Sequence, residues 1–288
     1  MQIPLARLAL AVVLASSFLQ VHAQPAKAPT PPGAPAQPTG PRYLLAVSEG
    51  TSGGTSPQEI IDKYKPLADL MGKVLGGQVL VDPSRSFQRL DEGLRAKRFD
   101  LAMARPSDYP ARAVRDNGYR YVANASPDGQ CVFLVPQKSA AKTLADLKGK
   151  RILLPEKISY MAQFCSAELR DAGLNLSQLE YVKEQEVVVY QLQNNRADLG
   201  GVASYSKALK GIGDAGLREL VRSRPQPYFP LIAGQRISPT QIAALRKELV
   251  KMKDTPAGKE ILAKLGLAGF DDTGEKRLAE LLAWLEKT

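Results

Sequence analysis

Histidine, cysteine and tryptophan are nearly missing from this chain: 288 residues hold one, two and one of them. The histidine is His22, inside a segment that reads as a removable leader. Arg7 precedes an apolar stretch from Leu8 to Leu19, and Val21-His22-Ala23 supplies a small-x-small cleavage signal. Cleavage after Ala23 leaves a product with no histidine. That excludes Ser-His-Asp and Cys-His nucleophilic chemistry and every metal site that needs imidazole. No other cluster of metal-ligand type replaces it, so the expectation is no metal, no cofactor and no enzyme. Long apolar runs are also missing. The leader's run is short for a bilayer span, which takes about 20 residues, and nothing later is apolar enough. No cysteine follows the leader to carry a lipid. The product is expected to be exported, to the periplasm, and soluble.

What is present is basic charge. The chain carries 39 Lys and Arg against 29 Asp and Glu, and loss of the leader removes only Arg7, leaving 39 − 1 − 29 = +9. In an exported protein this excess suits anionic ligands or surfaces rather than nucleic acid. A merely solvated basic surface is the competing explanation. The two cysteines, Cys131 and Cys165, suggest a disulfide in an exported chain. The alternative is two buried thiols, since Cys165 shares an apolar helical face with Met161 and Leu169.

Residues 24–41 contain seven prolines among eighteen residues and read as an extended tether. From Tyr43 onward strand and helix signals alternate. "YLLAV" (43–47), "QVLV" (78–81), "DLAMA" (100–104) and "YRYVANA" (119–125) read as strands with helices between them. Ser56-Pro57-Gln58-Glu59 is a capping box with proline at the first helical position. Pro66 is expected to bend or restart the helix that follows, and Pro106 to open the next one but one. After the turn "SPDGQ" (126–130) the pattern repeats with "CVFLV" (131–135), "RILL" (151–154), "LEYV" (179–182) and "DLGGV" (198–202), ending in a helix from Ser204. "RSRPQPYFP" (222–230) is a second crossing. "LIAG" and helices near 239–253, 257–265 and 274–286 follow it.

The expected fold is α/β and bilobed: two mixed, mostly parallel sheets joined by two crossover segments. Lobe 1 would be 42–129 plus 223–288, and lobe 2 would be 130–222. A pair of connecting strands makes a hinge. Two motifs are set aside. "GIGDAG" (211–216) follows a helix rather than a strand and reads as a turn, not a dinucleotide loop. Ser204-Tyr205-Ser206-Lys207 matches S-x-x-K without the companion motifs of the penicillin-recognising enzymes.

Five stretches occur in a telling order: "YKPLADLMGKVLG" (64–76), "RFDLAMARPSDY" (98–109), "TLADLKGKRILLP" (143–155), "NNRADLGGV" (194–202) and "DTPAGKEILAKLGLAGF" (254–270). With the leader, this order resembles the phosphonate/phosphite-type substrate-binding proteins of bacterial ABC importers, over about Tyr43 to Phe270. The resemblance implies a type 2 periplasmic-binding fold that closes on a small ligand. It also implies a permease in the inner membrane as partner and a monomeric receptor. A sensor or accessory binding protein on the same fold is the alternative.

In open α/β sheets ligands sit beyond the carboxyl ends of the strands, where helix amino termini offer free N–H groups to anions. That places Thr51 and Ser52 after the first strand and Arg105, Ser107 and Tyr109 after the third. From the second half it adds Ser159 and Tyr160, Gln185 and Glu186, and Tyr205. Asp198 matches the family's acidic position in "NNRADLGGV". Each has a plainer reading. Ser107 and Ser159 can simply cap helices, Tyr109 can be an interlobe aromatic, Arg105 can pair with Asp108, and Asp198 can end a turn. The chain departs from the family pattern at three places. Ser159 stands alone beside bulky Tyr160 where a Ser-Thr-Ser-Gly-like run is usual. Gln185-Glu186 replaces His followed by an acid, and Arg105 replaces a small or apolar residue. The ligand class therefore stays open among phosphonate or phosphite, sulfonate and carboxylate.

Overall fold

The structure is a computed structural model that describes residues 40–50 and 56–287. The leader, most of the proline-rich segment, and the expected ligand residues Thr51 and Ser52 lie outside the described residues. The chain begins with β1 (Arg42–Glu49), β2 (Gln78–Pro83), β3 (Leu101–Arg105) and β4 (Arg120–Ser126). It then crosses to a second sheet made of β5 (Cys131–Pro136), β6 (Ile152–Leu154), β7 (Leu179–Tyr181), β8 (Leu199–Ala203) and β9 (Leu217–Arg222). It returns to the first sheet through β10 (Pro230–Ala233) and β11 (Gly269–Asp271). The first sheet runs β11-β4-β10-β3-β1-β2 and the second β7-β6-β8-β5-β9. The two crossings are themselves paired, Gly129 with Gln226, by reciprocal 2.9 Å backbone hydrogen bonds.

Both sheets are mixed, but the parallel share is smaller than the sequence suggested. Among the described residues β1 pairs in parallel with β2 and β3, and β6 with β7 and β8, while β10 and β11 in one sheet and β5 in the other pair antiparallel. The difference comes from β5 and β10, which each follow a crossing and enter their sheet from the opposite end, and from β11, which runs the same way as β10. Two strands escaped the sequence reading. "LRELVR" carries β9 between the 211–216 turn and the second crossing, where no element was expected, and the helix expected from Ser204 is only a short turn of 3-10 helix at Lys207–Leu209. Its alternation is weak because this edge strand is largely exposed on both faces. β11 has three residues, too few to show a period.

The helices follow their caps. α1 (Pro57–Leu75) starts at the Ser56/Glu59 capping box, with Glu59 N donating to Ser56 Oγ at 3.2 Å and Ser56 N to Glu59 at 2.6 Å. It continues through Pro66 rather than restarting, because Ile60, Tyr64, Leu67, Ala68 and Met71 bury one face on both sides of the proline. That packing outweighs the lost hydrogen bond. α2 (Phe87–Arg95) is followed by α3 (Asp108–Asp116), which begins two residues after Pro106 instead of at it. α4 (Tyr160–Asp171) and α5 (Gln185–Gln193) cover the second sheet. α6 (Pro239–Lys251), α7 (Pro256–Leu265) and α8 (Glu275–Leu285) finish the first half. No described helix is long and apolar enough to cross a membrane.

The two glycines of "DLGGV" explain how α4 and α5 come so close to one strand. A Cβ on Gly200 would stand 2.5 Å from Val188 Cγ1 and 2.7 Å from Leu192 Cδ1, both on α5. A Cβ on Gly201 would stand 2.7 Å from Cys165 Sγ, on α4, and 3.2 Å from Cys131 Sγ. Those two sulfurs form a disulfide that ties α4 to β5. A bonded sulfur cannot swing away, so Gly201→Ala should cost about 2 kcal/mol by overpacking. Gly213→Ala, whose added carbon meets nothing within 4 Å, should be neutral. Urea midpoints of the two variants check this, and equal midpoints would contradict it.

Trp284, expected in the core, is there, on α8. Its ring meets Phe164 of α4 edge-on at 5.3 Å, and its Nε1 donates to Asp171 at 2.6 Å. From the other side Arg112 and Arg115 of α3 pair with Glu286, just past α8. The end of α8 is thus bonded both to the helix that follows β3 and to the helix that follows β6.

Candidate functional site

A cavity of about 400 Å³ lies between the two sheets, beyond the carboxyl ends of β1, β3, β6, β7 and β8. Its floor is the second crossing, which contributes Tyr228 and Phe229. Arg105, the last residue of β3, enters from the first sheet and Tyr205, just after β8, from the second.

Arg105 is 9% exposed. Its guanidinium carbon lies 4.7 Å from the Tyr205 ring centroid, 4.8 Å from that of Phe229 and 5.7 Å from that of Tyr228. Tyr205 stacks on Tyr228 at 4.7 Å. The rings hold the cation by their faces, at about 0.5–2 kcal/mol each. Its edge is another matter. Arg105 forms no salt bridge among the described residues, and its Nε is buried without a hydrogen-bond partner. The alternative pairing with Asp108 does not occur, because Asp108 bonds Arg112 at 2.7 Å. β1 fixes the backbone below: Ser48 Oγ donates to the Arg105 carbonyl at 2.9 Å.

The second sheet supplies donors. Ser159 caps α4, its Oγ accepting from Ala162 N at 3.2 Å, so its own O–H stays available to the cavity. Both plain and functional readings of Ser159 thus fit one geometry. Gln185 Oε1 accepts from Ala203 N at 2.7 Å, which leaves the amide NH₂ as the group on offer. Tyr160 lines the wall but donates its hydroxyl to the Pro227 carbonyl at 2.9 Å, so it pins the start of α4 to the crossing and can offer a ligand only an acceptor. Burial pushes the phenol of Tyr160 up, so it stays protonated at neutral pH. Glu186 and Lys207 stand exposed at the rim.

Glu49 lines the opposite wall, where Lys63 Nζ at 2.6 Å and the Tyr64 hydroxyl at 2.7 Å bond its Oε1. Burial works to raise its pKa, but these bonds and the nearby charges of Lys63 and Arg105 outweigh it, leaving Glu49 below 4.5. A depressed carboxyl contributes stability above its unfolded pKa and loses it as the pH falls through the folded value. Glu49→Gln should therefore melt below the parent at neutral pH, with the gap closing under acid. A gap that is the same at every pH would contradict the ion pair's role.

Three expected residues lie elsewhere. Tyr109 is not at the cleft wall; its ring stacks on Phe87 at 6.0 Å and packs between α2 and α3. Ser107 is fully buried beneath the wall, caps nothing and has no hydrogen-bond partner. Asp198 precedes β8, at the amino end of the strand and so away from the cavity, and bonds Arg151 through both oxygens at 2.9–3.1 Å. Tyr228 and Phe229, in turn, were missed. The available signal was two adjacent aromatics in a crossing that must pass under the cleft. Among the described residues no group of three or more His, Cys, Asp or Glu could hold a metal.

The family profile described as the periplasmic substrate-binding protein of phosphonate ABC transporters matches residues 52–277. No curated protein matches the chain. Solved structures do. XAC2383 from Xanthomonas citri, bound to chloride, superposes with a TM-score of 0.68 at 18% identity, over 85% of this chain and 97% of that one. PhnD1 from Prochlorococcus marinus, in complex with methylphosphonate, gives 0.65 at 13% identity, over 84% and 96%. The aliphatic sulphonate binding protein SsuA from Escherichia coli gives 0.55 at 18% identity, over 84% and 78%. At these identities the likeness is one of fold, and the fold is that of type 2 periplasmic binding proteins.

Proposed function

The chain belongs to the family of periplasmic phosphonate-type substrate-binding proteins of ABC transporters, and on that premise we propose that it captures a small anion in the cleft and delivers it to an ABC permease. One observation carries the reading: Arg105 is a buried guanidinium with an unpartnered Nε and no carboxylate paired to it among the described residues. Glu49, which bonds Lys63 and Tyr64, lends Arg105 a nearby negative charge, and an oxyanion in the cavity adds a direct contact, held by paired N–H donors. The Ser159 hydroxyl, the Gln185 amide and the amino end of α4 add donors from the facing side.

In this reading the lobes are 42–129 with 223–288, and 130–222, and closure is a rotation about the paired crossings. The receptor is exported after cleavage behind Ala23 and works as a monomer. The methylphosphonate of the PhnD1 structure and the sulphonate of SsuA define the ligands to try first, with carboxylates beside them. A thermal-shift screen tests it: a true ligand at a hundredfold its Kd should add about 2.7 kcal/mol to the stability. Silence across phosphonates, phosphite, sulfonates and carboxylates would remove the reading. A sensor role uses the same site, and the single hydroxyl at the start of α4 is what favours it. Uptake of the identified ligand lost on deletion distinguishes the importer receptor from the sensor.

A further inference from the structure

The charges on the cavity wall are Lys63, Arg105 and Lys207 against Glu49 and Glu186. Lys63 and Glu49 pair with each other. The undescribed residues 51–55, Thr-Ser-Gly-Gly-Thr, carry no charged side chain and leave this balance unchanged. That leaves Arg105, buried, and Lys207, exposed, facing Glu186, and the side chains sum to one positive charge.

Helix amino termini can supply the rest, since each is worth about half a charge. Three helices begin at or next to the cavity. α3 opens with Asp108, its carboxylate in the first turn. α5 opens with Glu186 in the first turn, behind Glu184 at the cap. Only α4, capped by the neutral Ser159, has no acid in its first turn. At α5 the chain has already placed its own anion where a ligand's second charge would be stabilised, whereas Asp108 of α3 is bonded to Arg112 at 2.7 Å and lies outside the cavity lining.

Resting on the anion-binding reading above, we propose that the cleft selects ligands with one net negative charge, and that Glu186 is the residue that excludes a second. A singly charged sulfonate or carboxylate, or a phosphonate in its monoanionic form, satisfies Arg105 and the α4 terminus. A dianion brings its second charge against Glu186. Because Glu186 is exposed at the rim, water screens the repulsion, and discrimination of about tenfold is the expected size.

The protein itself makes the test clean. No histidine lies among the described residues, so no described side chain of the type that ordinarily changes charge between pH 5 and 8 stands in the wall. Any strong pH dependence near neutrality then belongs to the ligand. Ethanesulfonate and ethylphosphonate are near-isosteric, and only the second passes from one charge to two as the pH rises through neutrality. Their dissociation constants are measured on the purified protein in mildly acidic and mildly alkaline buffer, with wild type and Glu186→Gln.

The proposal expects ethylphosphonate to bind about tenfold more weakly in alkaline buffer while ethanesulfonate is unchanged. Glu186→Gln should abolish that loss; it tightens ethanesulfonate somewhat, by the same factor in both buffers, because a monoanion also gains when the rim carboxylate is removed, so the ratio between the two pH values is the readout. Sulfonate binding together with phosphonate binding that holds or tightens in alkali overturns the charge limit and leaves the anion site standing. A pH loss that persists undiminished in Glu186→Gln overturns the assignment to Glu186. Failure of both ligands at both pH values overturns the charge limit as stated, and silence of the full panel of phosphonates, phosphite, sulfonates and carboxylates overturns the anion-site reading as well.

Discussion

Arg105→Ala should lose ligand binding by a factor of 10²–10³ while the ligand-free protein melts close to the parent. The first effect follows from removing one partner of a buried, charge-assisted contact, which at this site costs about 3–4 kcal/mol. The second follows from what Arg105 does without ligand. Its guanidinium gains face contacts with Tyr205, Tyr228 and Phe229 and the attraction of nearby Glu49, and it loses hydration on burial. Removing both terms nearly cancels, so the free protein should stay within about 1 kcal/mol of the parent. Arg105→Lys keeps the charge but not the planar fork, and should fall between, near a tenfold loss. Calorimetric titration gives the first number and chemical denaturation the second. A variant that binds normally, or one that loses binding only because it unfolds, would contradict this assignment.

The second large effect concerns stability. Cys131 and Cys165 are bonded across a sequence separation of 34, and both are fully buried. Closing a loop of that length in the unfolded chain is worth about 4 kcal/mol on the chain-entropy account. Cys131→Ala with Cys165→Ala should therefore lose about 4 kcal/mol in urea denaturation. The bond also ties α4, whose first turn carries Ser159 and Tyr160 to the cleft, against β5. The double variant should then bind more weakly as well, because α4 is freer to shift. A loss under 1 kcal/mol would mean that the packing around Gly201 and Leu154, not the bond, holds the helix.

Much of this was legible in the chain itself. The capping box at Ser56 marked the start of α1, and the all-buried run Leu101–Ala104 marked β3. These signals are local: a cap or a buried run is written in adjacent residues. The disulfide, too, could be expected from an exported pair of cysteines. What the sequence hid was what depends on partners far along the chain. Nothing near Tyr109 reports that Phe87 takes its ring. Nothing near Asp198 reports that Arg151, 47 residues away, takes its carboxylate. β9 hid because an edge strand with both faces wet has no alternation to show.

Arg105 was singled out for its place at the end of a buried strand, and its value lies in what surrounds it. Tyr228 and Phe229 come from 123 and 124 positions later, and Tyr205 from exactly the hundredth. A cation with rings on its faces and an unpartnered Nε is a property of the assembled cleft.

The most direct measurement is a crystal structure with ethanesulfonate bound. The account predicts a sulfonate oxygen within hydrogen-bond distance of Arg105 Nε, a second near the amino end of α4, and the carbon chain against the aromatic floor. An anion lodged outside the cleft, with no oxygen near the Arg105 edge, would contradict it.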